Sequence, residues 1–396
     1  MASETGSSSA SNPGAGTTSG SASAVIARQD RIPIWSLSWL FIGIIGVGFL
    51  FTFFDIFVIT VSFIQTCTQI VPHCVPGGPP GSVLASDKLG LPVELNLAGY
   101  VIGALILAPL ADRFGRRDML LFTLLLTGLG SLYTVFVGDY TNFILARVIT
   151  GIGIGADLAI VNTYINEVAP RGSRAKYTSL IFIMSALGAF FGIWLGLWLT
   201  TPPGDFPYGL PFAQATIQTV GGITTPFGGN GWRIMYGIGA VLALVGILLR
   251  FQLPESPRWL ISRGRVDQAD KIVTGMEERA RQRVSDLPAP AEELPVQSGA
   301  TKVPYSEILS NPLYLRRTIY LVVLWFFGYI TIYAIAQGLT TLLAAVLPLP
   351  AGLPPPEAAG AIAGEAGMLA ALGTFGFIAS AIFAYLFGER LERKIW

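Results

Sequence analysis

Charge is scarce in this chain, and histidine and cysteine are scarcer. Acidic and basic residues together make up 12% of its 396 residues, where a soluble globular domain carries about a quarter. The single histidine, His73, lies between the two cysteines, Cys67 and Cys74, in a stretch read as the first outside loop. Three ligands at that spacing match no common zinc pattern, so no metal site is expected. A disulfide across the stretch is geometrically possible, with two free thiols as the alternative. Gly151-Ile152-Gly153-Ile154-Gly155 lacks the glycine spacing and strand context of a phosphate-binding loop. With no such loop, no ligand cluster and one histidine, nothing points to an enzyme or to a cofactor. The formal net charge of +1 gives no sign of a nucleic-acid partner. The N-terminus lacks the basic start and apolar stretch of a signal peptide, so the first apolar run is expected to stay in the mature protein.

Apolar residues are abundant instead, at 52%, with a mean hydropathy of +0.60. Eight runs, at about 36–64, 91–111, 119–137, 142–166, 177–200, 234–252, 318–346 and 364–387, are candidate spans, since about 20 apolar residues cross the hydrocarbon core. The expected fold is an all-α polytopic membrane protein with the bilayer as a partner. Basic residues collect at one side: Arg28 and Arg31; Arg113, Arg116 and Arg117; Arg171, Arg174 and Lys176; the run from Arg258 to Arg317; and Arg390, Arg393 and Lys394. The opposite loops hold Lys88 and, at a span edge, Arg233. The bias predicts a multi-pass protein of the cell membrane with both ends of this chain cytoplasmic.

One charge cluster occurs twice. Asp112-Arg113-Phe114-Gly115-Arg116-Arg117 and Glu389-Arg390-Leu391-Glu392-Arg393-Lys394 both read acid, base, apolar, any, base, base. A membrane chain that repeats such a cluster is expected to consist of two related halves, as solute transporters do. Residues 1–31, rich in Ser, Gly, Ala and Thr at their start, read as a disordered tail. Residues 32–254 read as a six-span bundle, 255–317 as a cytoplasmic helical linker, and 318–396 as a partial second bundle of two spans. Within the linker, Ala269, Ile272, Val273 and Met276 recur at helical spacing, which predicts an amphipathic helix over 266–284. Glycines four apart (Gly151 and Gly155; Gly188, Gly192 and Gly196) predict close helix crossings.

Ionisable residues inside a span are costly and mark function. Asp55, Arg147 and Asp157 are the clearest. At about 1.5 Å per residue, Asp55 lies about 13 Å and Arg147 about 8 Å inside the outer ends of their spans, close enough in depth to pair. A buried carboxylate paired with a guanidinium stays ionised, and separated from it favours proton uptake. Alternation between the two couples protons to solute, while a static pair that fixes helix register is the competing reading. Asp157 has no evident partner in the sequence; lining a cavity and bonding to a neighbouring helix are equally open. At the cytoplasmic helix ends, Asp112, Glu167 and Glu255 lie among Arg113, Arg116, Arg117, Arg174 and Arg258, a set able to form the breakable contacts of a gate.

At these residues the chain resembles the sugar porter branch of the major facilitator superfamily. Ala108 to Arg117 resembles its loop signature between spans two and three, and Arg147 to Gly155 its fourth-span motif. Tyr164 to Pro170 with Arg174 resembles the segment leading into span five. Gly231-Trp232-Arg233 and Leu253-Pro254-Glu255-Ser256-Pro257-Arg258-Trp259-Leu260 resemble the signatures flanking span six. The resemblance implies two six-helix bundles around a cavity that opens to each side in turn, here a complete first bundle and the first two helices of the second. The chain stops at Trp396, four spans short; a fragment, a truncated product and a chain completed by association are all compatible with that. The resemblance also implies that Asp55 occupies the protonatable position, paired with Arg147, which favours proton symport of a small solute. At the sugar-binding positions it puts Phe182 in span five and Leu324, Trp325 and Ile330 around Gly328 in span seven, where the family has amides. A hexose in such a pocket leaves hydroxyls unpaired. Trp325, Tyr329, Tyr333 and Gln337 are candidate lining with Phe182 and Asp157, suited to an aromatic or aliphatic organic acid or a sugar-like metabolite. An uncoupled facilitator, a hexose transporter and a membrane nutrient sensor are the alternatives. Oligomeric state is left open.

Overall fold

A computed structural model describes residues 16–72, 74, 85–200, 217–220, 223–226, 229–284, 286–290, 306–336 and 355–388. The first helix, α1 (Gly16–Asp30), precedes the long α2 (Trp39–Ile70), whose N-terminus is capped by the Ser38 hydroxyl accepting from the Leu40 N–H. Next come α3 (Ala85–Ile102), α4 (Leu110–Phe114), α5 (Arg116–Phe136), α6 (Tyr140–Val168) and α7 (Arg174–Thr200). After a hairpin of β1 (Ile217–Val220) and β2 (Ile223–Pro226) follow α8 (Gly231–Arg250), α9 (Pro257–Ser262) and α10 (Val266–Arg281). The described residues end with α11 (Ser306–Ser310), α12 (Pro312–Ala336) and α13 (Pro355–Phe387). The antiparallel hairpin, with Thr219 opposite Thr224, is a small departure from the all-α expectation and lies between the fifth and sixth spans.

Among the described residues, seven stretches of helix are long and apolar enough to cross a membrane, and they match seven of the eight expected spans. The other, 318–346, is described as helix to Ala336. Apolar side chains such as Leu105, Phe136, Leu248 and Leu321 stand exposed on the outside, a surface suited to lipid rather than water. Inside, α2 packs on α7 and α8, α5 on α6 and α8, α3 on α6, and α13 on α7. A wide π turn, Gly103–Leu107, joins α3 to α4 just before Pro109, which can donate no backbone hydrogen bond.

Glycine sets the helix spacing. A methyl group added at Gly151 would overlap the carbonyl oxygen of Asn96, at Gly155 that of Tyr100, and at Gly103 that of Ile152. The α3–α6 crossing is therefore backbone against backbone. Gly188 meets the Leu50 carbonyl and Gly192 the Phe54 carbonyl in the same way along α7 and α2.

Two readings of the sequence are corrected at the ends of the first span. Residues 1–31 read as a disordered tail, but Gly16–Asp30 forms a helix. Its Ala22 and Val25 pack with Trp259, Leu260, Ala269 and Val273. Arg28 is 2.7 Å and Arg31 2.6 Å from the Glu277 carboxylate on α10. Long-range partners order a segment whose own composition favours coil. At the other end Cys67 lies in the last turn of α2, not in a loop, and is disulfide-bonded to Cys74 with a Cα separation of 5.8 Å.

The α1–α10 clasp should be acid-labile. Burial raises the Glu277 carboxyl, but hydrogen bonds and charges from Arg28 and Arg31 outweigh it and hold the group below its ordinary value. The contribution is therefore complete above the usual carboxylate range and is lost as pH falls through the depressed value. The protection of the amides of residues 22–31, taken relative to their intrinsic exchange rate at each pH, is expected to fall on acidification in the native protein and to be low already at neutral pH in E277Q.

Candidate functional site

Asp55 and Arg147 meet in the interior of the first bundle. Asp55 points from α2 and Arg147 from α6, with Nη1 3.0 Å from Oδ2 and side chains 1% and 2% exposed. Ser131 on α5 donates its hydroxyl to the other oxygen of Asp55. The second nitrogen of Arg147 donates to Thr134 at 2.9 Å and to Thr150 at 3.2 Å. The Tyr236 ring of α8 covers the guanidinium, with its centroid 4.4 Å away. Four helices thus close over one pair of opposite charges, dry enough that neither charge is screened by solvent.

A second buried pair lies further along α6, toward its Val168 end. Asp157, for which the sequence shows no evident partner, is held by Arg250 of α8 through two bonds of 2.5 and 3.0 Å. Thr123 donates to it at 2.9 Å. The sequence hides this because Arg250 stands at the end of the sixth apolar run and is not among the ionisable residues singled out inside spans. Gly48 on α2 is the available signal: a side chain there would overlap the Arg250 guanidinium.

The charges expected to form a gate pair in part with one another and in part with other residues. Arg116 bridges Asp112 and Glu167, each at 2.8 Å. Burial holds the Glu255 carboxyl above its ordinary value, and the backbone N–H groups of Arg116, Arg117 and Ser256 that donate to it counter this only in part. Arg117 donates to the Phe251 carbonyl at 2.7 Å. Arg258 pairs with Asp30 at the end of α1 rather than with any of the three expected carboxylates. Arg113 lies over the ring of its neighbour Phe114, and Nε of Arg174 finds no partner among the described residues. These contacts bind the first bundle to the linker and to α1.

The cavity candidates divide. Phe182 is half-buried and edge-on to Phe49, with centroids 5.9 Å apart. Trp325 is 54% exposed on α12, away from the buried pairs. The side chains of Tyr329 and Tyr333 and all of Gln337 lie outside the described residues. Sequence reasoning missed an aromatic seam where α2, α7 and α13 meet. Phe53 is 6.2 Å from Phe377, Phe190 5.4 Å and Trp194 6.1 Å from Phe375. The indole Nε1 of Trp194 is buried without an acceptor among the described residues. Phe53 and Phe57 each lie two positions from Asp55, about 200° around the helix, so the ion pair backs onto the seam through α2.

Comparison with known proteins bears on the family and the fold. The family model described as "Sugar (and other) transporter" matches residues 39–343. The arabinose-proton symporter of Bacillus subtilis (strain 168) is 31% identical over 185 residues, 47% of this chain and 36% of that protein. The 4-hydroxybenzoate transporter PcaK of Acinetobacter baylyi (strain ATCC 33305 / BD413 / ADP1) is 28% identical over 299 residues, 75% of this chain and 56% of the relative. A crystal structure of a D-xylose-proton symporter superposes with a TM-score of 0.57 over 90% of this chain and 70% of its own, at 18% identity, a likeness of fold. The chain spans between 36% and 61% of the length of the first curated relatives it matches.

Proposed function

The chain belongs to the sugar (and other) transporter family of the major facilitator superfamily, and on that premise we propose that it serves proton-coupled symport of a small organic solute by alternating access. The observation that carries this reading is the dry Asp55–Arg147 pair. With the pair closed, Asp55 is a charge matched inside the bundle. With a proton on Asp55, Arg147 keeps its bonds to Thr134 and Thr150 and the face of Tyr236, and α2 is no longer held to α6 by an ion pair. Because α2 also carries Phe53 and Phe57 in the seam, release of the pair and movement of the solute-facing wall are mechanically one event. Asp112, Arg116, Glu167 and Glu255 then act at the inner face, which we place in the cytoplasm of a cell-membrane protein with both ends of this chain on that side.

The solute is an aromatic or other organic acid in preference to a hexose. Phe182 and the neighbouring seam offer ring faces and few hydrogen-bonding groups, and a hexose would leave polar groups unpaired there. The relative named for 4-hydroxybenzoate transport supports this choice, and the relative named as a proton symporter supports the coupling. Uptake of labelled 4-hydroxybenzoate, nicotinate, xylose and glucose into proteoliposomes tests it. Aromatic acids are expected to accumulate under an inward proton gradient, and Phe182→Gln is expected to weaken their uptake about tenfold, the equivalent of ~1.4 kcal/mol. Tight, saturable glucose uptake unaffected by the gradient would refute both solute class and coupling.

A further inference from the structure

The second buried pair has no part in that cycle, and its geometry differs from that of the first. Asp157 and Arg250 are 1% and 0% exposed. Both terminal nitrogens of Arg250 are spent on Asp157, and Nη1 also donates to the Leu120 carbonyl at 2.6 Å. From the elements around Asp157, α8 presents the Arg250 guanidinium, α5 the Thr123 hydroxyl, and α2 the bare backbone of Gly48. Asp55 faces Arg147 from α6, Ser131 from α5 and, beyond the guanidinium, Tyr236 from α8.

The consequences of neutralising each acid are unequal. If Asp55 is neutral, Arg147 still has two threonine hydroxyls and an aromatic face. If Asp157 is neutral, Arg250 is left fully buried with one backbone carbonyl, and an uncompensated buried charge is strongly unfavourable. We infer that Arg250, seated in the notch that Gly48 leaves in α2, keeps Asp157 as a fixed charge, so that Asp55 is the single exchangeable proton acceptor inside the first bundle. Arg250 is then a positioning residue that sets the count at one proton per cycle. The inference rests on the proton-coupled reading for that count, and on geometry alone for the silencing of Asp157.

Infrared difference spectra of the protein in liposomes, between alkaline and acid pH, read protonated buried carboxyl groups directly through their C=O stretch and need no solute. The wild type is expected to show one such band, absent in D55N and unchanged in D157N. Arg250→Met is expected to add a second band that disappears in the R250M/D157N double variant, where both charges are gone. Gly48→Ala, which keeps every charge but displaces the guanidinium, is expected to add the same band at lower amplitude, and it serves if R250M does not fold. A wild-type band lost in D157N, or no added band in both R250M and G48A, would overturn the inference. A wild type without any band, with the added band still present in R250M or G48A, would overturn the role of Asp55 while leaving the silencing of Asp157 intact.

Discussion

Asp55→Asn is expected to abolish solute accumulation driven by a proton gradient while solute exchange between the two sides continues. Asn is close in shape to a protonated Asp, so the variant is held in the state that the cycle visits once per turn. Arg147 loses its 3.0 Å ion pair but not Thr134, Thr150 or the Tyr236 ring. Breaking one side of a buried ion pair costs about 3–5 kcal/mol, and those remaining partners put this variant at the low end of that range. The accumulation ratio under an imposed gradient should fall to about one, with counterflow of preloaded solute retained. A variant that still accumulates solute against its gradient would make the pair a static fixture of helix register. A variant that loses counterflow as well as accumulation would place Asp55 in solute binding rather than in coupling.

Gly155→Leu is expected to be the most damaging single substitution for the fold. At this crossing α6 lies on the backbone of α3, with Gly155 against the Tyr100 carbonyl and Gly151 against that of Asn96. Adding methylenes to a packed interior costs about 1–3 kcal/mol when side chains can adjust. Here the obstacle is main chain, so the helices must separate, and separation also breaks the 2.6 Å bond from Asn96 to the Arg147 carbonyl. The loss should exceed that range, seen as failure to recover a monodisperse protein from detergent. Gly43→Leu is the control, because nothing lies within 4 Å of a Cβ there, and it should behave as wild type. Equal recovery of the two variants would contradict the glycine-set spacing.

What could be read from the sequence divides by the range of the interaction. Apolar runs are local, and seven of the eight expected spans match described helices. The Asp55–Arg147 pairing was legible because each residue interrupts an apolar run, their depths are close enough to meet, and the family resemblance implies the pair. Arg250 was not, since it stands at the end of the sixth apolar run and its inward turn depends on a glycine two hundred residues earlier in the chain (Gly48). The helix at Gly16–Asp30 was equally hidden: its Ser- and Gly-rich start favours coil, and its stability comes from Glu277 and from Trp259 and Val273. The aromatic seam needs three helices in place at once, and single phenylalanines in apolar runs do not announce it. Phe182 emerged from resemblance to a family, a kind of signal that marks a position without showing what surrounds it.

The most direct test of the central claim is the pH of a lightly buffered suspension of cells producing the protein, recorded as 4-hydroxybenzoate or another transported acid is added. Proton symport predicts alkalinisation of the medium in step with solute entry for the wild type, and none above background for Asp55→Asn at equal membrane abundance. Solute entry into wild-type cells without any pH change would contradict coupling through the Asp55–Arg147 pair.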